Sequence, residues 1–357
     1  MRHLVTTERK SYCHCNDIDG VRIMFICGIG RTKFGNISKS LPELAYDAML
    51  DAIYDSPLSI SDIDMILVSN FLGGPLNGQL HLNSQIASLI PGMHIPIIRI
   101  ETACASGGVA LNQAKYCLSH YENVLIVGVE KMTGVNLMPI TDSIAMAEDC
   151  QFDKKNGLIF PAAYALIAQC YMSKYGIEHD VLEKISYNNH KNANLNPLAH
   201  FYNKEVTFEM IKNSPMVSDP LNLFDCSPIS DGAAAVVVSN KRRTDRDIKV
   251  LSTQISTDVI SLSEREDLTS FTATKTAANR AYAEARIAPK DIDILEIHDC
   301  FTISELIALE DLGMCKPGEA YMLVENEEIS LNGRIPVNTD GGLKANGHPI
   351  GATGLAQ

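Results

Sequence analysis

The chain contains one passage twice. Ser61-Asp62-Ile63-Asp64-Met65-Ile66-Leu67-Val68-Ser69-Asn70 returns in the second half as Lys290-Asp291-Ile292-Asp293-Ile294-Leu295-Glu296-Ile297-His298-Asp299. Each copy follows an alanine-rich stretch with apolar residues at helical spacing, residues 41–54 and 272–285, so the repeated unit reads as helix, short turn and buried strand. Two Asp-Ile-Asp strands alone could coincide by chance, but the correspondence continues. A strand at 94–100 runs through Glu101-Thr102-Ala103-Cys104-Ala105-Ser106-Gly107-Gly108 into a helix reaching Tyr116, and a strand at 334–338 precedes Gly347-His348-Pro349, which opens the matching helix. Cys104 and His348 therefore occupy equivalent strand-to-helix corners. So long a repeat excludes a solenoid and predicts two α/β halves packed as layers, their corners meeting at the interface.

The rest of the chain divides around this duplication. Beyond the Cys104 helix the first half continues with a strand at 123–128, an excursion over 133–215 and a last strand at 233–239. This predicts a first half built from 24–132 and 216–245, an inserted loop domain at 133–215, and a second half at 246–357. By the same symmetry the stretch after His348 falls short of most of a helix and two strands, so the second half is expected to be incomplete. Residues 1–23 have no period and read as a loose extension, with Met24 the candidate start. Cys13-His14-Cys15 within them lacks the second ligand pair that a structural metal site needs.

Composition narrows the function. At 357 residues and 46% hydrophobic content the chain can bury a large core, and a formal charge of −13 with no basic run argues against binding nucleic acid. No segment reaches the roughly 18 apolar residues of a membrane span, and the first residues lack the layout of a secretory signal. The ten cysteines are scattered, and Cys27, Cys117 and Cys170 lie in apolar runs that suit buried free thiols, which predicts a reducing, cytoplasmic setting.

Four residues can carry chemistry. Cys104 has small neighbours that leave room for a substrate, and a thiol at a helix N-terminus meets unpaired N–H groups that favour the thiolate. His348, between Gly347 and Pro349, is presented from a bend and as a neutral imidazole can accept a thiol proton. His298 and Cys300, in His298-Asp299-Cys300-Phe301, end the second copy of the repeated strand, at a sheet edge where α/β proteins place ligands. Zinc is the competing reading of two cysteines and two histidines, opposed by the absence of a close Cys-x-x-Cys pair. Gly28-Ile29-Gly30-Arg31-Thr32-Lys33-Phe34-Gly35 departs from the G-x-G-x-x-G spacing of a dinucleotide site.

Together, the Glu101–Gly108 segment, His298-Asp299-Cys300-Phe301 and Gly347-His348-Pro349-Ile350-Gly351-Ala352-Thr353-Gly354 resemble the thiolase superfamily, nearest to sterol-carrier-protein-type thiolases and the acetyl-CoA acetyltransferases of bacteria and archaea. Gly128-Val129-Glu130-Lys131-Met132, His190-Lys191-Asn192-Ala193-Asn194-Leu195-Asn196-Pro197 and Ser230-Asp231-Gly232-Ala233-Ala234-Ala235 agree. The resemblance covers 24–357. It implies the thiolase fold, with duplicated βαβαβαββ halves in an α-β-α-β-α layering, and acyl transfer between coenzyme A thioesters by thiolysis of a 3-oxoacyl-CoA or condensation of acetyl-CoA. It further implies Cys104 as the acylated nucleophile, His348 as its activator, Cys300 as acid/base, and His298 as holder of a water that, with His348, stabilises the enolate oxygen.

No bound cofactor or metal is implied; coenzyme A enters as substrate, and no residue is singled out for contacting it. The 133–215 insertion resembles the family's loop domain, and a homodimer or homotetramer is implied. The family continues for some tens of residues past its Gly-His-Pro segment, supplying half of one oxyanion hole, so the chain reads as C-terminally truncated. The alternatives are a catalytically impaired homologue serving as a binding or assembly subunit, a gene fragment, or a decarboxylating condensing enzyme of the ketoacyl-synthase kind.

Overall fold

Two strands buried at every position organise the first half. In the computed structural model, which describes residues 23–357, β4 (Asn123–Glu130) and β7 (Gly232–Ser239) are buried throughout, apolar except at their ends, and lie at the middle of a six-stranded sheet. Strands covered on both faces read as continuous apolar runs. The other members are β1 (Met24–Arg31), β2 (Met65–Ser69), β3 (Ile97–Ile100) and β8 (Ile248–Val250), in the order β3-β2-β4-β7-β1-β8. The pairs β3/β2 and β2/β4 are parallel, whereas β4/β7, β7/β1 and β1/β8 are antiparallel. A separate hairpin joins β5 (Met216–Ser218) to β6 (Leu221–Asn222).

Alternation along the strands gives the sheet two apolar faces. One, with Ile66, Val68, Leu125, Val127 and Val237, is covered by α1 (Leu41–Asp55) and α2 (Leu82–Ala87). Helix α1 buries Leu41, Leu44, Ala45, Ala48, Met49 and Ala52, the stripe expected of an amphipathic helix, and the Glu43 carboxylate accepts from the Ser40 N–H at its start. Gly28 and Gly30 are strand residues on which this helix rests: a Cβ at either would lie 2.3 Å from the Ala52 backbone. That close packing accounts for the glycines near the chain start.

The opposite face, with Met65, Leu67, Val124, Ile126, Val236 and Val238, packs on α3 (Ser106–Cys117) and, through Leu355, on a helix from the far end of the chain. The insertion carries α4 (Leu137–Ile144), α5 (Phe160–Tyr175), α6 (Asp180–Leu195) and α7 (Phe208–Lys212); the second half carries α8 (Thr272–Ala285), α9 (Thr302–Asp311), α10 (Ala320–Glu325) and α11 (Ile350–Ala356). Helix α9 is buried along its whole length, and its apolar residues share a core with α5, α6 and α10.

The expected helices 41–54 and 272–285 appear as α1 and α8. The second copy of the repeated strand differs from the first. The first is β2, flanked on both sides by paired strands, whereas the second meets its neighbour at a single parallel bridge, Leu295 to Val337. Among the described residues it has a partner on one side only, and a run so paired is held by few ladder bonds. Asn338 supplements it: its side-chain oxygen accepts from Ile297 N at 2.9 Å.

Residues 1–22, with Cys13-His14-Cys15 and nearly all of the expected extension, lie outside the described residues. Among the described residues no helix is long and apolar enough to cross a membrane. Of the three cysteines expected to be buried, Cys27 is buried, Cys117 is partly exposed and Cys170 is exposed. Cys170 sits on a side of α5 turned away from the core, a distinction that an apolar run does not make.

Candidate active site

The two corners marked by the repeat come together. Cys104 lies in a single 3-10 turn, Ala103–Ala105, between β3 and α3. The turn is tight: Ala103 has a left-handed φ of 48°, Ser106 Oγ donates to Ala103 O at 2.6 Å, and Glu101 Oε1 accepts from Ala103 N at 2.7 Å. Sparsely populated backbone of this kind persists where surrounding bonds enforce it. His348 follows Gly347, whose φ of 109° suits glycine and turns the chain from the π-turn Gly342–Asn346 towards α11.

Helices α3 and α11 then approach closely enough that a Cβ on Gly107 would lie 2.9 Å from Leu355 N, and one on Gly354 2.8 Å from Gly108 N. This contact sets the distance between the corners. The Cys104 sulfur and one ring nitrogen each of His298 and His348 all lie within 4.8 Å of one another. The two imidazoles meet edge to face, with centroids 5.1 Å apart.

Three ligand-type atoms this close have the donor set of a metal site. The hydrogen bonds also fit a proton acceptor. Thr353 Oγ1 donates its proton to Pro349 O at 3.0 Å, so the 2.8 Å bond between Thr353 Oγ1 and His348 Nδ1 is donated by the ring. Nδ1 thus carries the proton, and Nε2, which is buried and has no hydrogen-bond partner, keeps its lone pair.

Electrostatics reverse one expectation. The helix N-terminus was expected to favour the Cys104 thiolate, yet burial pushes its thiol well up, reinforced by Cys300 and Glu130 nearby. A turn of backbone N–H groups does not offset the desolvation of a charge among Leu72, Met132, Ile140 and Ile350. Burial holds His348 well below the usual imidazole range, with His298 adding to the effect, and lowers His298 to about 4. Burial also raises Cys300 to about 11. The resting site is therefore a set of neutral groups, in which a proton leaves Cys104 only as its sulfur is consumed.

Cys300 and His298 flank Asp299 just before α9. Asp299 is buried and accepts from Leu343 N at 2.6 Å, Lys344 N at 3.3 Å and Asn189 Nδ2 at 2.8 Å, tying the His298–Cys300 segment to the turn that carries His348. Behind it, Glu305 Oε2 accepts from Asn189 Nδ2 and Asn338 Nδ2, each at 2.8 Å. Burial pushes both carboxyls up, with Asp340 adding to the effect at Asp299 and Asp299 adding to it at Glu305.

A second buried acid, Glu130 at the end of β4, accepts from Phe71 N, Leu72 N, Asn70 Nδ2 and Gly351 N at 2.8 to 3.0 Å and so pins the first turn of α11. Burial lifts it to about 7. Tyr164, from α5, stacks on Phe301 at 4.4 Å between ring centroids and lies beside Cys300 and Ser304.

Sequence reading named four candidate side chains, and the structure gathers Cys104, His298, His348 and Cys300 in one place. It gave no role to Glu130, Thr353 and Asp299, although each lies within a quoted motif where a polar residue is embedded among small or apolar ones. Tyr164 has no such signal, because its segment reads as ordinary apolar helix.

Comparison with known proteins finds matches along nearly all of the described chain. The family description "Thiolase, N-terminal domain" matches residues 24–242, and "Thiolase C-terminal domain-like" matches residues 255–357. The chain is 41% identical over 344 residues to the acetyl-CoA acetyltransferase of Methanothermobacter thermautotrophicus, covering 94% of this chain and 89% of that one. It is likewise 41% identical over 348 residues to the acetyl-CoA acetyltransferase of Methanocaldococcus jannaschii, covering 94% and 88%. Among solved structures, the Ltp2-ChsH2(DUF35) aldolase superposes with a TM-score of 0.79 at 27% identity, covering 94% of this chain and 88% of that one.

Proposed function

The chain belongs to the thiolase family, and from that premise we propose that Cys104, His348, Cys300 and His298 are its catalytic residues. The protein is an acyltransferase of the acetyl-CoA acetyltransferase type, moving acyl groups between coenzyme A thioesters by thiolysis of a 3-oxoacyl-CoA or condensation of acetyl-CoA. The observation that carries the residue assignment is the convergence of the Cys104 sulfur with the neutral imidazoles of His348 and His298.

In the thiolytic direction the Cys104 sulfur attacks the 3-oxo carbon while its proton passes to His348 Nε2. The bond between C2 and C3 then breaks, leaving an acyl group on Cys104 and the enolate of acetyl-CoA. The newly protonated Nε2 and a water held by His298 face the enolate oxygen, and such preorganised donors are worth roughly 3 to 4 kcal/mol each in a dry site. Cys300 gives its proton to C2, releasing acetyl-CoA. An incoming CoA thiol restores that proton to Cys300 as its sulfur attacks the Cys104 thioester, and Cys104 leaves with the proton from His348. Both thiols start neutral, as this sequence requires.

The insertion 133–215 acts as a loop domain bordering the substrate; Tyr164 reaching Cys300 supports this, with 24–132 and 216–245 as one half and 246–357 as the other. Chemistry that depends on two reduced thiols suits a reducing cytoplasm. A homodimer or homotetramer is supported by β3, an edge strand whose Ile98 is half exposed. Acetoacetyl-CoA thiolysis followed at the thioester absorbance tests the assignment: the wild-type protein turns over and C104A does not. Equal turnover by C104A sinks it.

A further inference from the structure

Beside the catalytic cluster lies a cavity of about 290 Å³ between α5 and the segment leading into α8. Phe160, Tyr164, Leu262 and Phe271 are part of its apolar wall, and Tyr164 also lies beside Cys300. One wall residue does not fit an apolar pocket. Glu148, just after the short turn that follows α4, is only 8% exposed, and neither carboxylate oxygen has a hydrogen-bond partner. Buried carboxylates are normally satisfied by donors, and one left bare beside an open volume is an acceptor awaiting a ligand.

The neighbouring charges are already engaged. Asp153 accepts from Ser261 Oγ at 3.3 Å and Leu262 N at 3.1 Å, Arg265 faces Asp258 at 3.7 Å, and Lys154 bonds Asp142. The only unmet polar atoms at the wall of the cavity among these are those of Glu148.

We propose that Glu148 is a specificity-determining residue that accepts a hydrogen bond from an N–H or O–H group of the bound thioester. Tyr164 belongs both to the cavity wall and to the surroundings of Cys300, so an occupant of the cavity lies one side chain away from that thiol and is read as part of the reacting molecule, an inference that rests on the function proposed above. The donor has two sources with the same chemistry: the amide and hydroxyl groups of the CoA arm, or a hydroxyl on the acyl chain. The apolar wall selects an otherwise aliphatic body, and Glu148 adds the demand for one donor. A site built to pair with a donor discriminates strongly against ligands that lack it.

Calorimetric titration in a C104A background, which binds thioesters without being acylated, tests this with CoA, hexanoyl-CoA and 6-hydroxyhexanoyl-CoA. E148L is expected to weaken binding about tenfold or more, and E148Q, which keeps an acceptor oxygen, to stay within about threefold of the parent. Weakening of all three ligands places the donor on the CoA arm; weakening of the hydroxyacyl ligand alone places it on the acyl chain. Unchanged binding of every ligand by E148L, or equal weakening by E148L and E148Q, overturns the proposal. A thermal melt checks each variant, and E148M replaces E148L if the latter does not fold. Binding that depends on Glu148 without acetoacetyl-CoA turnover by the wild-type protein would overturn the reaction alone, whereas turnover with binding indifferent to Glu148 would overturn the cavity assignment alone.

Discussion

A proton on His348 Nδ1 is worth as much to the site as the lone pair on Nε2, because the first fixes the second. Thr353, one turn into α11, accepts from Nδ1 and passes its own proton to Pro349 O, so a hydroxyl buried in a helix selects the tautomer. T353V removes that acceptor while keeping the shape, and kcat is expected to fall by about an order of magnitude or more with little change in melting temperature. A rate equal to the wild type's would show that the tautomer is set elsewhere.

The depressed imidazoles also fix a pH profile. With His298 lowered to about 4 and His348 well below its usual value, neither imidazole is expected to gain a proton between pH 8 and pH 5. Ring resonances of either histidine that titrate near pH 6.5 by NMR would contradict this. Stability follows a different course. A histidine depressed in the folded state contributes stability above its unfolded value of about 6.5, and loses it as pH falls through that value. The protein is thus expected to weaken on acidification before either imidazole gains a proton.

At the scale of elements, α3 and α11 carry the two corners, and their glycines decide how near those corners come. G354A would put a Cβ 2.8 Å from Gly108 N, which is backbone and cannot swing aside. Overpacking of this kind costs about 1–3 kcal/mol, and the displaced corner should lower kcat beyond what the loss of folded protein explains. Melting temperature and active-site-normalised kcat together check it; an unchanged melt would mean that the helices have slack.

The pairing of these helices was legible in the repeat, since an equal place in two copies implies an equal place in space. The thiol's protonation was not, because a helix N-terminus is visible in Ala105-Ser106-Gly107 while the apolar shell of Leu72, Met132, Ile140 and Ile350 comes from four distant segments. Tyr164 was hidden for the same reason. The ladder of the second strand copy was also beyond reach, since Ile294-Leu295-Glu296-Ile297 matches its first-half counterpart closely and only the available partners differ.

Across the whole molecule, buried acids join parts of the chain that are far apart in sequence. Asn189 of the insertion bonds both Asp299 and Glu305, so the insertion and the second half share one polar cluster behind the catalytic histidines. Glu305 is held above the usual carboxylate range by burial and by Asp299. A raised carboxyl contributes stability that is complete below its unfolded value and is lost as pH rises through the folded one. E305Q does not titrate, so its melting temperature relative to the wild type is expected to climb between pH 5 and pH 9. A difference that is constant over that range would contradict the assigned direction.

On the proposed function, the fold brings Cys104 to His348 as an acyl-accepting pair. Incubation of the full chain with acetyl-CoA followed by peptide mass spectrometry tests it most directly. The expected result is an acetyl group on the peptide containing Cys104, absent from H348N and displaced by free CoA. An unmodified Cys104 in a folded sample, or an acetyl group confined to Cys300, would contradict the account.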